Sequence, residues 1–229
     1  MGTKYTREEI LTKVEGAART MPNFYQQPFV NYTGTLLGEK EYDTEVVASY
    51  LLQRPHLWDQ IPTITRSSYR VAGHDGIAQN PDSNQEEAHL AYALANHHLT
   101  GLGTILDYQV PLKRSLHDNT GKIDLIADDG TAIYLLELKQ GNSSETLLRC
   151  VLEIMTYWHT VNHSKLIESF LGKAACRTVV PAVLLPEACR AYQELEEVRH
   201  GKRPQLAALM AQHGVQAFWL DSSLHCHHA

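Results

Sequence analysis

The sequence predicts an α/β protein: a mixed central β-sheet flanked by helices, with a mainly helical N-terminal extension over residues 1–80 and the main domain over 81–229. Three features predict it. Residues 104–113, 121–127 and 132–139 read as strands, and Asp128-Asp129-Gly130 supplies the turn between the last two. Ser144 to Val161 carries apolar residues at helical spacing. Thr178 to Leu185 is a continuous apolar run, as in a strand buried on both faces.

From the N-terminus, Tyr5 to Thr20 reads as a helix, opened by Thr6 and Glu9 as a capping box and striped by Ile10, Leu11 and Val14. Met21 to Gly38 is aromatic and irregular. Glu39 to Leu52 is expected to be a second helix, with Tyr42, Val46, Val47, Tyr50 and Leu51 on its apolar side. Thr63 to Ala72 contains β-formers and reads as a candidate strand carrying two arginines, Arg66 and Arg70, and Gly73 to Asp82 is a loop by composition. The tyrosines of this region are assigned to core or partner packing, since no basic residues interleave them. No internal repeat marks a separate domain here.

Ser83 and Glu86 form a second capping box, and the helix they open runs to about His98. At 100° per residue, Glu87 falls near the centre of the face made by Leu90, Ala91 and Leu94. Glu86 lies at its edge. Beyond the strands and the 144–161 helix come a short helix at 165–171, helices at 189–200 and 204–213, and a strand at 215–220. The tail, with Leu224-His-Cys-His-His-Ala229, is expected to fray, with metal binding by its histidines and cysteine as the alternative.

The 229 residues suffice for one sizeable domain with an appendage, and 43% hydrophobic with 20% charged residues is ordinary globular composition. No apolar run is long enough to span a membrane, and the polar start does not resemble a signal peptide. Cys150, Cys176, Cys189 and Cys226 form no CxxC pair, which argues against a disulfide framework or a thiolate metal cluster. The expected location is cytoplasmic. A net charge of −6 excludes nucleic-acid binding by bulk electrostatics, so any phosphate contacts must be local.

The most informative stretch is Gly121 to Gln140. Residues two apart on a strand share a face, so Glu137 and Lys139 point one way and Leu136 and Leu138 the other. An acid and a base on one face of an otherwise apolar strand are costly to bury unpaired. Asp124 on the neighbouring strand can converge with them. Two carboxylates and a main-chain carbonyl suit Mg2+ or Mn2+, which prefer oxygen ligands. On the helix from 144, Arg149, Glu153 and Tyr157 recur at four-residue steps and line one stripe.

The pattern Asp124…Glu137-Leu138-Lys139, set in the order α-β-β-β-α-β over about residues 83–220, resembles the PD-(D/E)XK nuclease superfamily. The resemblance implies a restriction-endonuclease-like core (αβββαβ). It implies a metal-dependent nuclease that hydrolyses phosphodiester bonds, with DNA the expected nucleic-acid partner. Carried over, Asp124, Glu137 and the Leu138 carbonyl match the metal ligands, Lys139 the catalytic lysine and Glu87 the acid of the preceding helix, as a third ligand. Arg149, Glu153 and Tyr157 fall on the substrate side. Glu153 stands where the RecB-like branch carries Gln, and Asp124 follows Lys122-Ile123 rather than Pro. A homodimer fits by analogy, since a second copy lets an isolated domain embrace a duplex.

Plainer alternatives stand beside these roles. Glu137 and Lys139 also fit an edge-strand charge pair, Asp124 a surface acid beside a turn, and Glu87 a helix N-terminal charge. Glu153 also fits an ion pair with Arg149, and His97-His98 a helix end. At the level of function, the alternative to a nuclease is a catalytically inactive member of the same fold that binds nucleic acid or protein. In a third reading, a defence-associated endonuclease, residues 1–80 would recognise sequence or a partner.

Overall fold

The three central strands pair as an antiparallel meander, and a fourth adds parallel to the last of them, as the element order implies. The structure, a computed structural model, describes residues 4–74, 86–112 and 121–229. Its sheet runs in chain order: β1 (His98–Leu99), β2 (Gly103–Pro111), β3 (Lys122–Asp128), β4 (Ala132–Leu138), β5 (Thr178–Pro186), β6 (Gln216–Leu220) and β7 (Cys226–His228). Strands β1 to β4 are antiparallel neighbours, β4, β5 and β6 are parallel, and β7 returns antiparallel to β6. The sheet is therefore mixed. Strand β4 is central, which removes the edge-strand explanation of Glu137 and Lys139.

The expected helices appear as α1 (Arg7–Ala17), α2 (Asp43–Leu52), α3 (Glu86–Leu94), α4 (Leu147–Thr160), α5 (His163–Leu171), α6 (Arg190–Arg199) and α7 (Pro204–His213). Both limbs of the Thr6–Glu9 capping box are present, with Glu9 N–H donating to Thr6 Oγ1 at 3.2 Å and Thr6 N–H to Glu9 Oε2 at 2.7 Å. Helix α2 starts at Asp43 rather than Glu39, with Tyr42 as its N-cap. Helix α4 starts after Thr146, whose side chain accepts from Arg149 N–H. Ser83, the expected cap of α3, lies outside the described residues, as do Lys113 and most of the 73–82 loop.

Three expectations are corrected. The stretch 63–72 forms no strand; it makes one isolated bridge, Ile64 to Val161, and Arg66 donates to the Pro111 carbonyl at 2.7 Å. β-Propensity there is overridden by side-chain contacts to β2, since Val71 N–H also donates to Asp107 Oδ2 at 3.2 Å instead of to a strand carbonyl. Helix α3 ends at Leu94, and Asn96 takes a left-handed φ of 63°, a conformation Asn tolerates. His98 then pairs with Thr104 in β1. At Gly103 a Cβ would overlap the Asp128 carbonyl, so only glycine lets β2 start there. The tail, finally, does not fray. Asp221 Oδ1 accepts from Ser223 and His225 N–H at 2.8 and 2.9 Å, closing a turn that returns the chain as β7 with Cys226 buried.

Two cores cover the sheet. Over one face, α4 packs Leu148, Val151 and Met155 on Ile126, Ile133, Leu135 and Val183. Ile10, Phe24, Val47 and Trp58 join this same cluster, so residues of the N-terminal extension complete the core rather than standing apart. Tyr25 and Tyr69 are buried in it, and Tyr5 stacks on Tyr32. Glu45 of α2 caps α7, accepting from Gln205 and Leu206 N–H at 2.8 and 3.0 Å. On the opposite face, Ala91 and Leu94 of α3 join a cluster with Leu125, Leu136, Leu138 and Leu184. Among the described residues no helix is long and apolar enough to cross a membrane.

Candidate metal centre and its cleft

Strand register builds the floor of the site. Leu125 faces Leu136 and Ile126 faces Leu135, so the same register sets Asp124 opposite Glu137. Leu136 and Leu138 enter the core under α3, while Leu135 enters the core under α4. Glu137 shares the α4 face, as its alternation with the leucines requires. Asp124 Oδ2 accepts the Leu138 N–H at 2.9 Å, and its Oδ1 accepts from Gln109 Nε2 at 2.8 Å. Gln109 lies opposite Asp124 in the β2–β3 register and has a φ of 47°. That left-handed value within a strand is strained for a non-glycine residue, and strain of this kind gathers at functional sites.

Lys139 is the hub. Its ammonium lies 2.6 Å from Glu137 Oε1, 3.0 Å from Glu145 Oε2 and 3.4 Å from Glu87 Oε2. One turn along α4, Arg149 pairs with Glu145 at 3.6 Å and Glu153 at 3.4 Å, and donates to the Tyr25 carbonyl at 2.9 Å. Tyr157 donates to Glu153 Oε1 at 2.7 Å. A Cβ on Gly121 would overlap the Tyr157 hydroxyl, so glycine at 121 is what lets Tyr157 reach its partner. Asp124, Glu137 and Lys139 are buried, Glu87 half-buried. The surface-acid explanation of Asp124 therefore falls, while the Arg149–Glu153 ion pair is present.

The groups line an open cleft of about 700 Å³. Six carboxylates, of Glu86, Glu87, Asp124, Glu137, Glu145 and Glu153, face three cations, of Lys122, Lys139 and Arg149. The surplus is felt by the buried acids. Burial first, then the Glu87 carboxylate, push Asp124 up to about 7. Burial and Glu153 push Glu137 well above the ordinary carboxylate range. Burial alone would lower the Lys139 ammonium. The carboxylates around it more than offset this, and its pKa ends well above the usual value.

The expected site residues thus converge on one cleft, with differences in detail. Asp124 and Glu137 stand side by side across β3 and β4, and Leu138 adds its N–H to Asp124. Glu87 reaches Lys139. The carboxylates whose oxygens come within 4.8 Å of one another are Glu137, Glu145 and Glu153, so Glu153 belongs to the acid cluster as well as to the α4 stripe. Two contributors have no counterpart in the sequence reading, Glu145 and Gln109. Glu145 was legible in principle, since it extends the Arg149–Glu153–Tyr157 stripe back by four residues. Gln109 had no signal, because its role depends on a backbone conformation that polar alternation does not encode. No family model, curated protein or solved structure matches the chain, so its functional assignment rests on the chemistry of this cleft.

Proposed function

We propose that the chain is a metal-dependent nuclease of the PD-(D/E)XK type, hydrolysing phosphodiester bonds in DNA with Mg2+ or Mn2+. One observation carries this. Asp124 and Glu137 lie opposite one another on adjacent strands, and Lys139 is held 2.6 Å from Glu137 at the base of an open cleft. Buried ionic groups seldom improve stability over apolar residues of the same size. A cluster this acidic on a sheet face is better explained by a task.

The donor set fits a hard divalent cation. All its candidate ligands are oxygens, and the unbalanced negative charge that raises Asp124 and Glu137 is what a dication would relieve. Asp124, Glu137 and the Leu138 carbonyl would hold it, with Glu87 and Glu145 at the rim. A bound divalent ion supplies charge neutralisation at the scissile phosphate and a more acidic water. The protein's own groups do the rest. Lys139 exchanges a rim carboxylate for the phosphate or holds the attacking water. Gln109 and the Leu138 N–H fix the Asp124 carboxylate in place. Glu153 positions the Tyr157 hydroxyl and, with Glu145, the Arg149 guanidinium at the cleft wall. A second copy of the chain is the proposed partner for engaging a duplex.

The test is Mg2+- or Mn2+-dependent cleavage of single- and double-stranded DNA. Wild-type protein should cut, and Lys139→Ala and Glu137→Gln should lose the activity at least a hundredfold. Purified protein that binds no divalent ion and cuts no nucleic acid overturns the proposal. The second reading, an inactive module of the same fold, is favoured by the engagement of both Lys139 and Arg149 with carboxylates and by the net charge of −6. Mn2+ separates the two: an intact site raises the melting temperature with the ion and a redundant one does not.

A further inference from the structure

The C-terminal hairpin carries a second constellation, on the far edge of the sheet. Asp221 follows β6, and its Oδ2 is approached by His225 Nδ1 at 3.1 Å and by His227 Nε2 at 3.3 Å. We infer that Asp221, His225 and His227 form a binding site for a first-row divalent cation of the zinc type.

Four points support it. First, a tetrahedral ion with ligands at about 2.0–2.1 Å sets its donor atoms about 3.3–3.4 Å apart. Two of the three donor–donor edges already stand at 3.1 and 3.3 Å. Among the described residues only Glu137, Glu145 and Glu153 have ligand atoms all within 4.8 Å of one another, so the ring-to-ring edge still has to close. The His225 side chain, 75% exposed, has room to pivot about its contact with Asp221 Oδ2 and close it. Second, the carboxylate is pre-set: Oδ1 accepts from Ser223 and His225 N–H, which leaves Oδ2 to the rings. Third, His227 is oriented by stacking on Trp219, with centroids 4.1 Å apart and planes 17° from parallel. The stack limits rotation of the ring and holds its Nε2 toward Asp221. Fourth, His225 immediately before β7 and His227 within it flank Cys226, which is buried, so its thiol stays out of the set.

Two imidazoles and one carboxylate suit zinc, nickel or copper rather than magnesium or calcium, and leave a fourth position open to solvent. β7 is three strands from β4, about 14 Å across the sheet at the usual strand spacing. The site is thus separate from the acidic cleft and does not depend on its function. Its occupation would pin the last strand to the turn that precedes it.

Isothermal titration of the full chain with zinc tests this. Three proteins are compared: wild type, the double variant His225→Gln/His227→Gln, and Glu137→Gln in the cleft. The expected result is a zinc site that the double variant loses by at least tenfold in affinity and Glu137→Gln retains. A wild-type protein that takes up no zinc, or a folded double variant that titrates like wild type, overturns the inference. If the double variant does not fold, Co2+ added to the unsubstituted protein decides by nuclear magnetic resonance. Paramagnetic shifts at His225 and His227 support the site, and shifts confined to other histidines, or none, reject it.

Discussion

Lys139 Nζ stands 2.6 Å from Glu137 Oε1, and both side chains are buried. The two partners are not equivalent. Lys139 also serves Glu145 and Glu87, whereas Glu137 is crowded by Glu153 and Asp124. Removing the cation leaves several carboxylates uncompensated, and removing the acid relieves part of the surplus. Lys139→Met should therefore destabilise the fold by about 3–5 kcal/mol. Glu137→Gln should cost under about 1 kcal/mol, or stabilise, while abolishing the proposed cleavage. Urea denaturation of both variants beside wild type checks the asymmetry; equal losses would remove it.

Gly121 and Tyr157 are matched in the same way. Gly121→Ala places a methyl against the phenol ring and should destabilise by about 1–3 kcal/mol. Tyr157→Phe removes the hydroxyl nearest that methyl and should restore part of the loss. A double-mutant cycle with a coupling above about 0.5 kcal/mol is the expected signature.

Glu45 ties the beginning of the chain to its end. Its buried carboxylate accepts from the first free N–H groups of α7, those of Gln205 and Leu206. Glu45→Ala should cost about 1–3 kcal/mol, because one buried and one half-buried donor lose their acceptor. Glu45→Gln, which keeps an acceptor oxygen, should recover much of it. Thermal unfolding of the two variants gives the comparison.

His159 supplies a pH dependence outside the cleft. Burial, with His213 and His163 close by, lowers its pKa to about 4 from the ordinary 6.5 of a histidine. The unfolded chain thus binds this proton more readily than the folded one. The contribution to stability is complete above about pH 6.5 and is lost as pH falls toward 4. His159→Phe keeps the stack on Trp58 and removes the titration. The variant should show a smaller stability difference between pH 5 and pH 7 in urea melts, and an unchanged difference would assign the acid sensitivity elsewhere.

The sequence by itself determined the element order, the central hairpin and the face on which Glu137 and Lys139 lie. These follow from periodicity, and periodicity is local: two residues along a strand or four along a helix decide which side chains point together. The capping box at Thr6, the helix over 204–213 and the α4 stripe were legible for the same reason. Tertiary structure alone decided who meets whom. Gln109 reaches Asp124 because β2 takes a left-handed turn of the backbone beside it. Glu145 joins Lys139 because α4 begins at the end of the cleft. The tail became a strand because Asp221 closes a turn with its side chain, a bond between groups that no hydrophobic pattern records. Likewise, the stripes of α1 and α2, each taken alone, mark only an appendage. Their apolar faces meet α4 and α7 only after the chain has closed, so their place in the core is a property of packing rather than of any one segment.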